Sequence, residues 1–557
     1  MKHTKKSTSS IGISLVMLIL LFSIALVGCA AQEQSTTPES TNLLEIVLFQ
    51  PSSNCAACHQ GMKDTLGNDV SNHTEWQSSI MANAARDPYY LASVRMETQK
   101  SPQYAEAIEE KCAICHAPMA RLSNDAKEES TMMFGAQGIL ASEHPLFNLA
   151  VDGVSCTVCH QIPENPADNF RHSSDLAINL DLTASERLIY GAFPISEQNV
   201  SLMKAATGYT AVQSEHVRQS AVCATCHELY LNYIKEDSTL SSGDELFYEQ
   251  TPYSEWLVSD FAEQSSCQDC HMPSAEGAAP ISNITPDNLY EPFARHTFTG
   301  GNVFMLNLFG EFSEELGFPG SIAALDQHSA RTEDLLQNQT ASLAVSAIEQ
   351  QDDTLTFKVG IEVLTGHKYP TSFPSRRTWL HVIVSDAQGT VIFESGGYEE
   401  TGEIFGNAND ENPEAYEPHY DLISSPDQVQ IYEPIMKDVS GAVTTFQMLA
   451  AGYLKDNRLL PSGFDKHNPP PVSSVIGEAM QDSSFSGGSD SITYQVATNG
   501  ASGPFTVQVE LLYQSVSYRW ALNVLESQTE EAQTFGRMLE QTKNIPVMIA
   551  SQTVQSQ

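Results

Sequence analysis

The chain has 557 residues, enough for two or three domains, and carries 28 Lys and Arg against 69 Asp and Glu. Its formal net charge of −41 makes nucleic acid an unexpected partner, because affinity for nucleic acid depends on neutralising phosphates with basic side chains. A partner protein steered by charge would be basic, and the alternative is an acidic surface that serves only solubility.

The first 28 residues have the form of a bacterial export signal. Three lysines within the first six residues precede an apolar run over residues 11–27, which ends in Leu26-Val27-Gly28-Cys29. These last four residues resemble the lipobox of lipoproteins, in which the Cys becomes the lipidated first residue of the mature protein. The alternative is a retained membrane helix, although the run is short for a span.

Lipidation of Cys29 predicts an exported lipoprotein anchored to a membrane, on the periplasmic or cell-surface face. In a cell with two membranes, the absence of Asp after Cys29 favours the outer membrane. Residues 30–43 are polar, and residues 29–50 are predicted as a flexible tether that holds a folded domain off the membrane.

Residues 51–310 contain five copies of Cys-x-x-Cys-His, which account for ten of the 11 cysteines. The motifs are Cys55, Cys58 and His59; Cys112, Cys115 and His116; Cys156, Cys159 and His160; Cys223, Cys226 and His227; Cys267, Cys270 and His271. Two thiols at this spacing can form thioethers to the two vinyl groups of one haem, and the adjacent His can ligate its iron. Zinc sites and disulfides are the alternatives. Five copies, each followed by His, predict five covalently bound c-type haems.

The haem region is predicted to be mostly helix and coil, with the porphyrins supplying much of the apolar filling. Apolar spacing predicts helices near residues 75–85, 102–110, 215–228 and 253–261. The motifs are irregularly spaced, so the region is not a repeat array. A connecting helical segment is expected over residues 311–340.

Residues 341–525 predict a β-rich domain with long insertions. Six runs alternate apolar and polar residues: 341–347, 354–363, 378–384, 390–395, 491–496 and 505–513. Such runs are typical of strands and together predict an antiparallel, sandwich-like domain. A single helix is expected over residues 518–542, followed by a tail. Residues 526–557 are therefore assigned to a C-terminal helix and tail that follow the β-rich domain. The predicted fold class is α+β and multidomain.

The second axial position of each iron decides between electron transfer and catalysis. A second His gives a low-potential carrier, a Met raises the potential, and an open position permits catalysis. The predicted second ligands are His144, His216, His296 and His367, with His73, His172 or Met81 for the fifth iron. Each could instead be an ordinary hydrogen-bonded or core residue. His328, His381, His419 and His467 are expected to be solvated.

The haem half resembles the cytochrome c554-like multihaem family of bacteria. The stretches Leu364-Thr-Gly-His-Lys-Tyr-Pro-Thr and Arg376-Arg377-Thr-Trp-Leu-His381 resemble a C-terminal β module often joined to such domains. The resemblance spans most of residues 50–525. It implies electron transfer through closely packed haems and supports His144, His216, His296 and His367 as ligands.

The expected function is electron transfer through five haems at the cell envelope, in a respiratory or extracellular chain, with no catalytic residue. Redox proteins of the envelope would be its partners, and it could be a subunit of a larger complex. The alternative is a multihaem reductase or oxidase of a small nitrogen or sulfur compound, with one open haem and His172 or Arg295 placing the substrate. In a third hypothesis the β region docks a partner. Arg376 and Arg377 are expected to bind haem propionates or a partner, or to close local ion pairs.

Overall fold

The motif-bearing half is built from short helices joined by turns, in a computed structural model that describes residues 48–164 and 176–556. The signal sequence, Cys29, most of the tether and His172 lie outside the described residues. The helices of this half are Ser52–His59 (α1), Asn72–Gln77 (α2), Pro88–Lys100 (α3), Ala105–His116 (α4), Pro118–Asp125 (α5), Phe147–Ala150 (α6), Cys156–Cys159 (α7), Glu197–Thr207 (α8), Ala221–Ala224 (α9), Pro252–Leu257 (α10), Cys267–His271 (α11), Val303–Glu311 (α12) and Ile322–Gln339 (α13).

Three two-stranded ribbons lie between these helices. They are formed by Leu188–Gly191 (β1) with Thr210–Gln213 (β2), Leu229–Leu231 (β3) with Phe247–Gln250 (β4), and Ala279–Pro280 (β5) with Leu289–Tyr290 (β6). The first pair is parallel and the other two are antiparallel.

Several predicted helices are shorter than their apolar spacing indicates. The helix predicted near 75–85 stops at Gln77, because Ser78 Oγ donates to the Glu75 carbonyl and Asn83 Nδ2 donates to the Ser79 carbonyl in the turns that follow. The prediction of one helix over residues 215–228 is wrong. The segment forms a short 3-10 turn followed by α9, and Gln219 between them has an extended backbone.

The second half contains two five-stranded sheets, and each of the six runs predicted as strands lies in a strand. Its strands are Ala341–Val345 (β7), Glu349–Gln351 (β8), Thr354–Val363 (β9), Arg377–Ser385 (β10), Val391–Ser395 (β11), Leu422–Ile423 (β12), Ile431–Tyr432 (β13), Pro434–Lys437 (β14), Gly452–Asp456 (β15), Ser489–Ala497 (β16), Thr506–Gln514 (β17) and Val547–Gln555 (β18). A short helix, Ala408–Glu411 (α14), lies between β11 and β12 in the sequence. One sheet has the order β11-β10-β17-β18 with β13 beside β10. The other has the order β12-β16-β9-β7 with β8 beside β9, and β14 pairs with β15.

The two sheets share one apolar core. Alternate residues of β9 point into it, and it also receives Val382 of β10, Val509 of β17 and Ile492 of β16. Most pairings are antiparallel, and β12 with β16 is parallel. The predicted α+β class is confirmed by this combination of helices and sheets.

The chain end differs from its prediction. The single helix expected over 518–542 is wrong, because it is interrupted at residues 527–529 between Tyr518–Glu526 (α15) and Glu530–Thr542 (α16). Gln528 adopts a φ of 55°, and the Thr529 side chain caps the second helix by accepting from Ala532 N. The predicted tail is strand β18, which pairs antiparallel with β17.

Helices and sheets are not separate bodies. Val303 of α12 and Leu336 of α13 contribute to the core between the sheets. A second core joins α3 and α12 to α15 and α16. The described residues, 48–164 and 176–556, belong to one compact unit. No helix among them is long and apolar enough to cross a membrane.

Candidate haem-binding centre

Four of the five motifs face one cavity of about 1180 Å³. Its walls carry cysteines and the His of the first, third, fourth and fifth motifs, interspersed with apolar side chains such as Trp76 and Phe293. The second motif, on α4, does not line this cavity and borders an apolar cluster around Met133 and Ile139. The structure therefore gathers motifs that are far apart in sequence around a common apolar space.

Four of the five motif histidines are held in one tautomer by the backbone. Their Nδ1 atoms lie 2.7 Å from the Ile281 carbonyl for His59, 3.0 Å from Ala84 for His116, 2.6 Å from Tyr190 for His160 and 2.6 Å from Thr299 for His271. A carbonyl can only accept, so each Nδ1 carries the proton and each Nε2 keeps a free lone pair. This is the second-shell arrangement that orients an imidazole toward a metal.

Burial keeps these imidazoles neutral, which is the form that binds a metal. Desolvation lowers the pKa of His116 and of His227 to about 4, and it also lowers the pKa of His59, His160 and His271. His227 lines the cavity. Protein surrounds the residue, while its ring faces the open space of the cavity.

Two predicted second ligands lie opposite motif histidines. The ring centroids of His160 and His296 are 6.3 Å apart with planes 13° apart, and those of His271 and His367 are 6.3 Å apart with planes 8° apart. Two metal–imidazole bonds of about 2 Å and two ring radii of about 1 Å add to about 6 Å. Both pairs are therefore spaced as two imidazoles that share one iron.

The loop that carries His296 is fixed from α2. Glu75 accepts from the backbone N of His296 at 3.0 Å and from Arg295 Nε at 2.6 Å. Glu75 is buried, and this raises its pKa although Arg295 acts in the opposite direction. Arg295, the residue considered for substrate placement, is thus engaged in holding His296.

The segment that carries His367 is fixed by a buried ion network. Lys368 Nζ lies 2.8 Å from Asp456 Oδ2, and Arg458 contacts the same carboxylate at 2.8 Å. Arg458 also contacts Glu255 of α10 at 3.1 Å, and Glu255 accepts from the backbone N of Lys368. The network joins the helical half to the β half beside His367, whose Nδ1 lies 2.9 Å from the Lys368 carbonyl.

His216 and His144 are placed differently from an Nε2 iron ligand. His216 is buried, with Nε2 2.9 Å from the Ile162 carbonyl and Nδ1 2.7 Å from Ser214 Oγ. Its Nε2 must therefore carry a proton in this arrangement. His144 Nδ1 accepts from Leu146 N at 3.1 Å, which also leaves the proton on Nε2. The structure brings neither ring opposite a motif histidine.

Two of the three candidates for the fifth iron, His73 and Met81, also lie at the cavity. His73 is buried, lines the cavity and has an Nδ1 without a hydrogen-bond partner among the described residues. An unpaired buried nitrogen is costly unless a ligand satisfies it, which fits an absent prosthetic group. Met81 lines the same cavity from the turns after α2. His172 lies outside the described residues.

The alternatives of disulfides and zinc find little support in this geometry. The ten motif cysteines form no disulfide. Among the described residues, the group arranged closely enough to hold a metal ion is His419, Asp482 and Asp490, which includes no motif residue. Motif cysteines and histidines instead lie along the apolar walls of the cavity, where they could be bonded to haem.

Arg376 and Arg377 have different surroundings. Arg377 is buried and forms a two-pronged ion pair with Asp410 at 2.8 and 2.9 Å, so it closes a local ion pair away from the surface. Arg376 lines the cavity, where its Nη1 donates to the Thr371 carbonyl. It remains a candidate for a propionate.

The sequence did not reveal the burial or the contacts of three residues. His328 and His419 were expected to be solvated, but both are buried, and His328 lines the cavity from α13. Burial lowers the pKa of His328 to about 4. Asp152 bridges two motif helices: it accepts from Ser52 N at 2.8 Å and from Ser155 Oγ at 2.7 Å. An isolated Asp or His carries no local pattern that would reveal such contacts.

Comparison of the sequence with protein-family models and with curated proteins finds no match. Among solved structures, a penta-heme cytochrome c552 from Thermochromatium tepidum is similar to this chain, with 16% sequence identity and a TM-score of 0.49. The similarity covers 92% of this chain and 100% of the other. Similarity at this level does not assign a family.

Proposed function

We propose that this chain is a multihaem c-type cytochrome that transfers electrons through five covalently bound haems at the cell envelope, in a respiratory or extracellular electron-transfer chain. The supporting observation is the convergence of four Cys-x-x-Cys-His motifs on one cavity, with two imidazole pairs across it at 6.3 Å. Each bound haem would supply an iron that takes up and releases one electron.

The chain's own residues would attach, ligate and enclose these groups. The ten motif cysteines would form the thioethers, and His59, His116, His160, His227 and His271 would be the proximal ligands. His296 and His367 would complete the coordination opposite His160 and His271. No general acid or base is needed for this function, so the protein is proposed as a carrier and not as an enzyme.

Intact-mass spectrometry of the denatured holoprotein tests the proposal. The expected mass exceeds that of the processed polypeptide by five haems, because thioether bonds survive unfolding. A mass equal to the bare chain, or to the chain with zinc, would overturn it. Magnetic circular dichroism would then count irons with two His, with His and Met, and with an open position.

A second function, reduction or oxidation of a small nitrogen or sulfur compound, is favoured by the surroundings of His116. Its ring stacks on Tyr90, with centroids 3.5 Å apart and planes 2° apart. Among the described residues, no second imidazole makes a ring contact with His116, and the same is true of His59 and His227. A high-spin signal that shifts on adding nitrite or hydroxylamine, and that disappears in His116→Ala, would support this function. Low-spin irons throughout would exclude it.

The cellular setting is proposed from the leader. Lipidation at Cys29 would anchor the protein to a membrane, facing the periplasm or the cell exterior. Its partners would then be redox proteins of the envelope, and it could be a subunit of a larger complex. The negative charge of the chain favours a partner with a basic docking surface.

A further inference from the structure

Three large apolar side chains are exposed next to the first motif. Leu66 is 65% exposed, Ile284 49% and Leu289 46%, and together they form the Leu66 patch. None of the three lines the cavity, so their exposure is to the outside of the molecule and not to the space proposed for haem. Exposed apolar side chains that lie together within a polar surface are typical of a site that a partner covers.

Backbone contacts bring the patch together from two distant segments of the chain. Thr65 N, next to Leu66, donates to the Ala278 carbonyl at 2.9 Å, immediately before strand β5. Leu289 begins the paired strand β6, and Ile284 lies in the turn between the two strands. The patch therefore consists of one short ribbon and the loop packed against it.

The turn that carries Ile284 is fastened to the first motif. Asn283 N donates to the Cys58 carbonyl at 2.9 Å. Asn283 Nδ2 donates to the carbonyls of Ala57 and Gln60 at 3.2 and 2.9 Å. Three hydrogen bonds from one side chain and its backbone thus hold the exposed turn against the end of α1.

The same turn reaches the proximal imidazole of this motif. Ile281 lines the cavity, and its carbonyl lies 2.7 Å from His59 Nδ1. Ile284 follows only three residues later along the chain. One short turn therefore extends from the wall of the cavity to the outer surface, and a partner seated on the Leu66 patch would contact the segment that orients His59.

The surroundings of the patch are acidic. Residues 236–294 contain 12 Asp and Glu and no Lys or Arg. Glu276, Asp287 and Glu291 in this stretch form the acidic rim: they are exposed and make no ion pair among the described residues. Lys63 is the basic residue of the neighbouring loop, so the negative charges prevail. Such a rim attracts a basic surface over a distance that salt shortens.

We propose that the Leu66 patch and its acidic rim dock a basic one-electron carrier protein, which exchanges electrons with this chain at the first motif. This inference rests on the proposed function. One electron passes from the reduced centre of one protein to the oxidised centre of the other, so no bond forms or breaks. The acidic rim steers the carrier, and the Leu66 patch is buried when the two proteins meet.

Stopped-flow mixing of the reduced holoprotein with oxidised mitochondrial cytochrome c, a small basic protein with one haem, tests the proposal. The second-order rate constant of electron transfer should fall as salt rises, because salt screens the acidic rim. It should fall about ten-fold in Asp287→Lys/Glu291→Lys, since charge steering changes association rates by this order. A fall of about ten-fold is also expected in Leu66→Ser/Ile284→Ser, which removes apolar area that docking would bury.

The matched controls carry the same kinds of change in the β half. Val391→Ser on β11 and Glu349→Lys on β8 alter exposed side chains and should retain the wild-type rate. Each variant should keep the five-haem mass and be reduced by dithionite at the wild-type rate, because a small reductant needs no docking surface. A redox titration of the serine variant should match the wild type, so that a change in driving force is excluded.

Equal rates in the wild type and in both patch variants would overturn the proposal. So would a wild-type dimer in sedimentation that becomes monomeric in Leu66→Ser/Ile284→Ser, because a second copy of the chain would then cover the patch. Binding to phosphatidylglycerol vesicles that this variant loses would assign the patch to a membrane and would overturn the proposal as well. A wild-type protein that carries no haem would instead refute the proposed function itself.

Discussion

At the level of single residues, the motif histidine and the second imidazole that faces it are positioned by different parts of the chain. Each motif histidine follows its cysteines directly, and a backbone carbonyl fixes the tautomer of His59, His116, His160 and His271. The second imidazole comes from another part of the chain, held by ion pairs such as that of Glu75 with Arg295. For His367, the contact of Nδ1 with the Lys368 carbonyl at 2.9 Å leaves the Nε2 lone pair free for a metal.

Replacing either His296 or His367 should leave one iron without its second imidazole ligand. We expect His296→Ala and His367→Ala to convert one of five low-spin irons to high spin, because each loses an imidazole placed 6.3 Å from a motif histidine. EPR of the oxidised protein measures this. The control is His381→Ala, since His381 lies on β10 between Glu394 and Glu510 and should leave every iron unchanged. The absence of any high-spin signal in both variants would refute this ligand assignment.

Asp152 should influence the potentials of two haems. Asp152→Asn removes a carboxylate that lies beside Cys55 and Cys156, so the oxidised irons of the first and third motifs lose a nearby negative charge. Their reduction potentials should rise, because a less negative surrounding favours the reduced state. A redox titration detects the rise. Asp326→Asn on the exposed face of α13 should leave the titration as it is, and an equal effect of both variants would count against the argument.

Glu97 should make stability depend on pH near neutrality. Burial raises the pKa of Glu97 to about 7, although Gln447 N and Met448 N donate to its carboxyl. The folded state therefore binds a proton more tightly than the unfolded chain, and this contribution is greatest below pH 4.5 and lost as the pH rises through about 7.

Glu97→Gln should abolish this pH dependence, which amounts to a change on the order of 2–3 kcal/mol in the free energy of unfolding. Chemical denaturation at several pH values between 4 and 8 would measure it. The exposed Glu106→Gln on α4 is the matched control and should retain the wild-type slope. A slope that survives in Glu97→Gln would show that another group titrates.

At the scale of elements, the sheets and the motif helices are joined by buried charges. Lys368 precedes Tyr369 in the segment between β9 and β10, Asp456 ends β15, and Glu255 lies on α10. Burial raises the pKa of Asp456, but Arg458 and Lys368 overcome this and hold it well below its usual range. Each charge in the network is satisfied, so removal of one partner leaves another charge buried without compensation.

Asp456→Asn should therefore destabilise the protein by about 3–5 kcal/mol in the free energy of unfolding. It should also loosen the segment that carries His367, so that the iron at His271 becomes partly high spin. Denaturation curves and EPR report the two effects. Glu333→Gln, on the exposed face of α13, should change neither quantity. If the protein loses stability but the EPR signal of its irons does not change, the network stabilises the fold without positioning His367.

At the scale of the whole molecule, the β half completes the haem half. His367 comes from the β half and faces His271, and the cores around α12 and α13 are shared with both sheets. Deletion of residues 340–557 would therefore remove a proposed ligand and expose these cores. It could not isolate a docking module, because the helical half would lose its packing.

Cys29→Ser should release the protein from the membrane without unfolding it. The described residues begin at residue 48 and form one compact unit, so the folded part does not depend on a lipid at residue 29. Cell fractionation should find the variant in the soluble fraction of the envelope, with the same five-haem mass as the wild type. A variant that stays in the membrane fraction would refute the lipid anchor.

Short spacing along the chain was enough to predict five Cys-x-x-Cys-His motifs that could bind haem, and six strands that the structure contains. It also predicted His296 and His367, which the structure places opposite His160 and His271. The fold was needed to show that His216 contacts the segment after the third motif, that His328 is buried, and that Asp152 and Asp456 join distant elements. The physical reason is that thioether spacing and strand alternation are local properties of the chain. Hydrogen bonds and ion pairs between distant segments exist only once the fold brings them together.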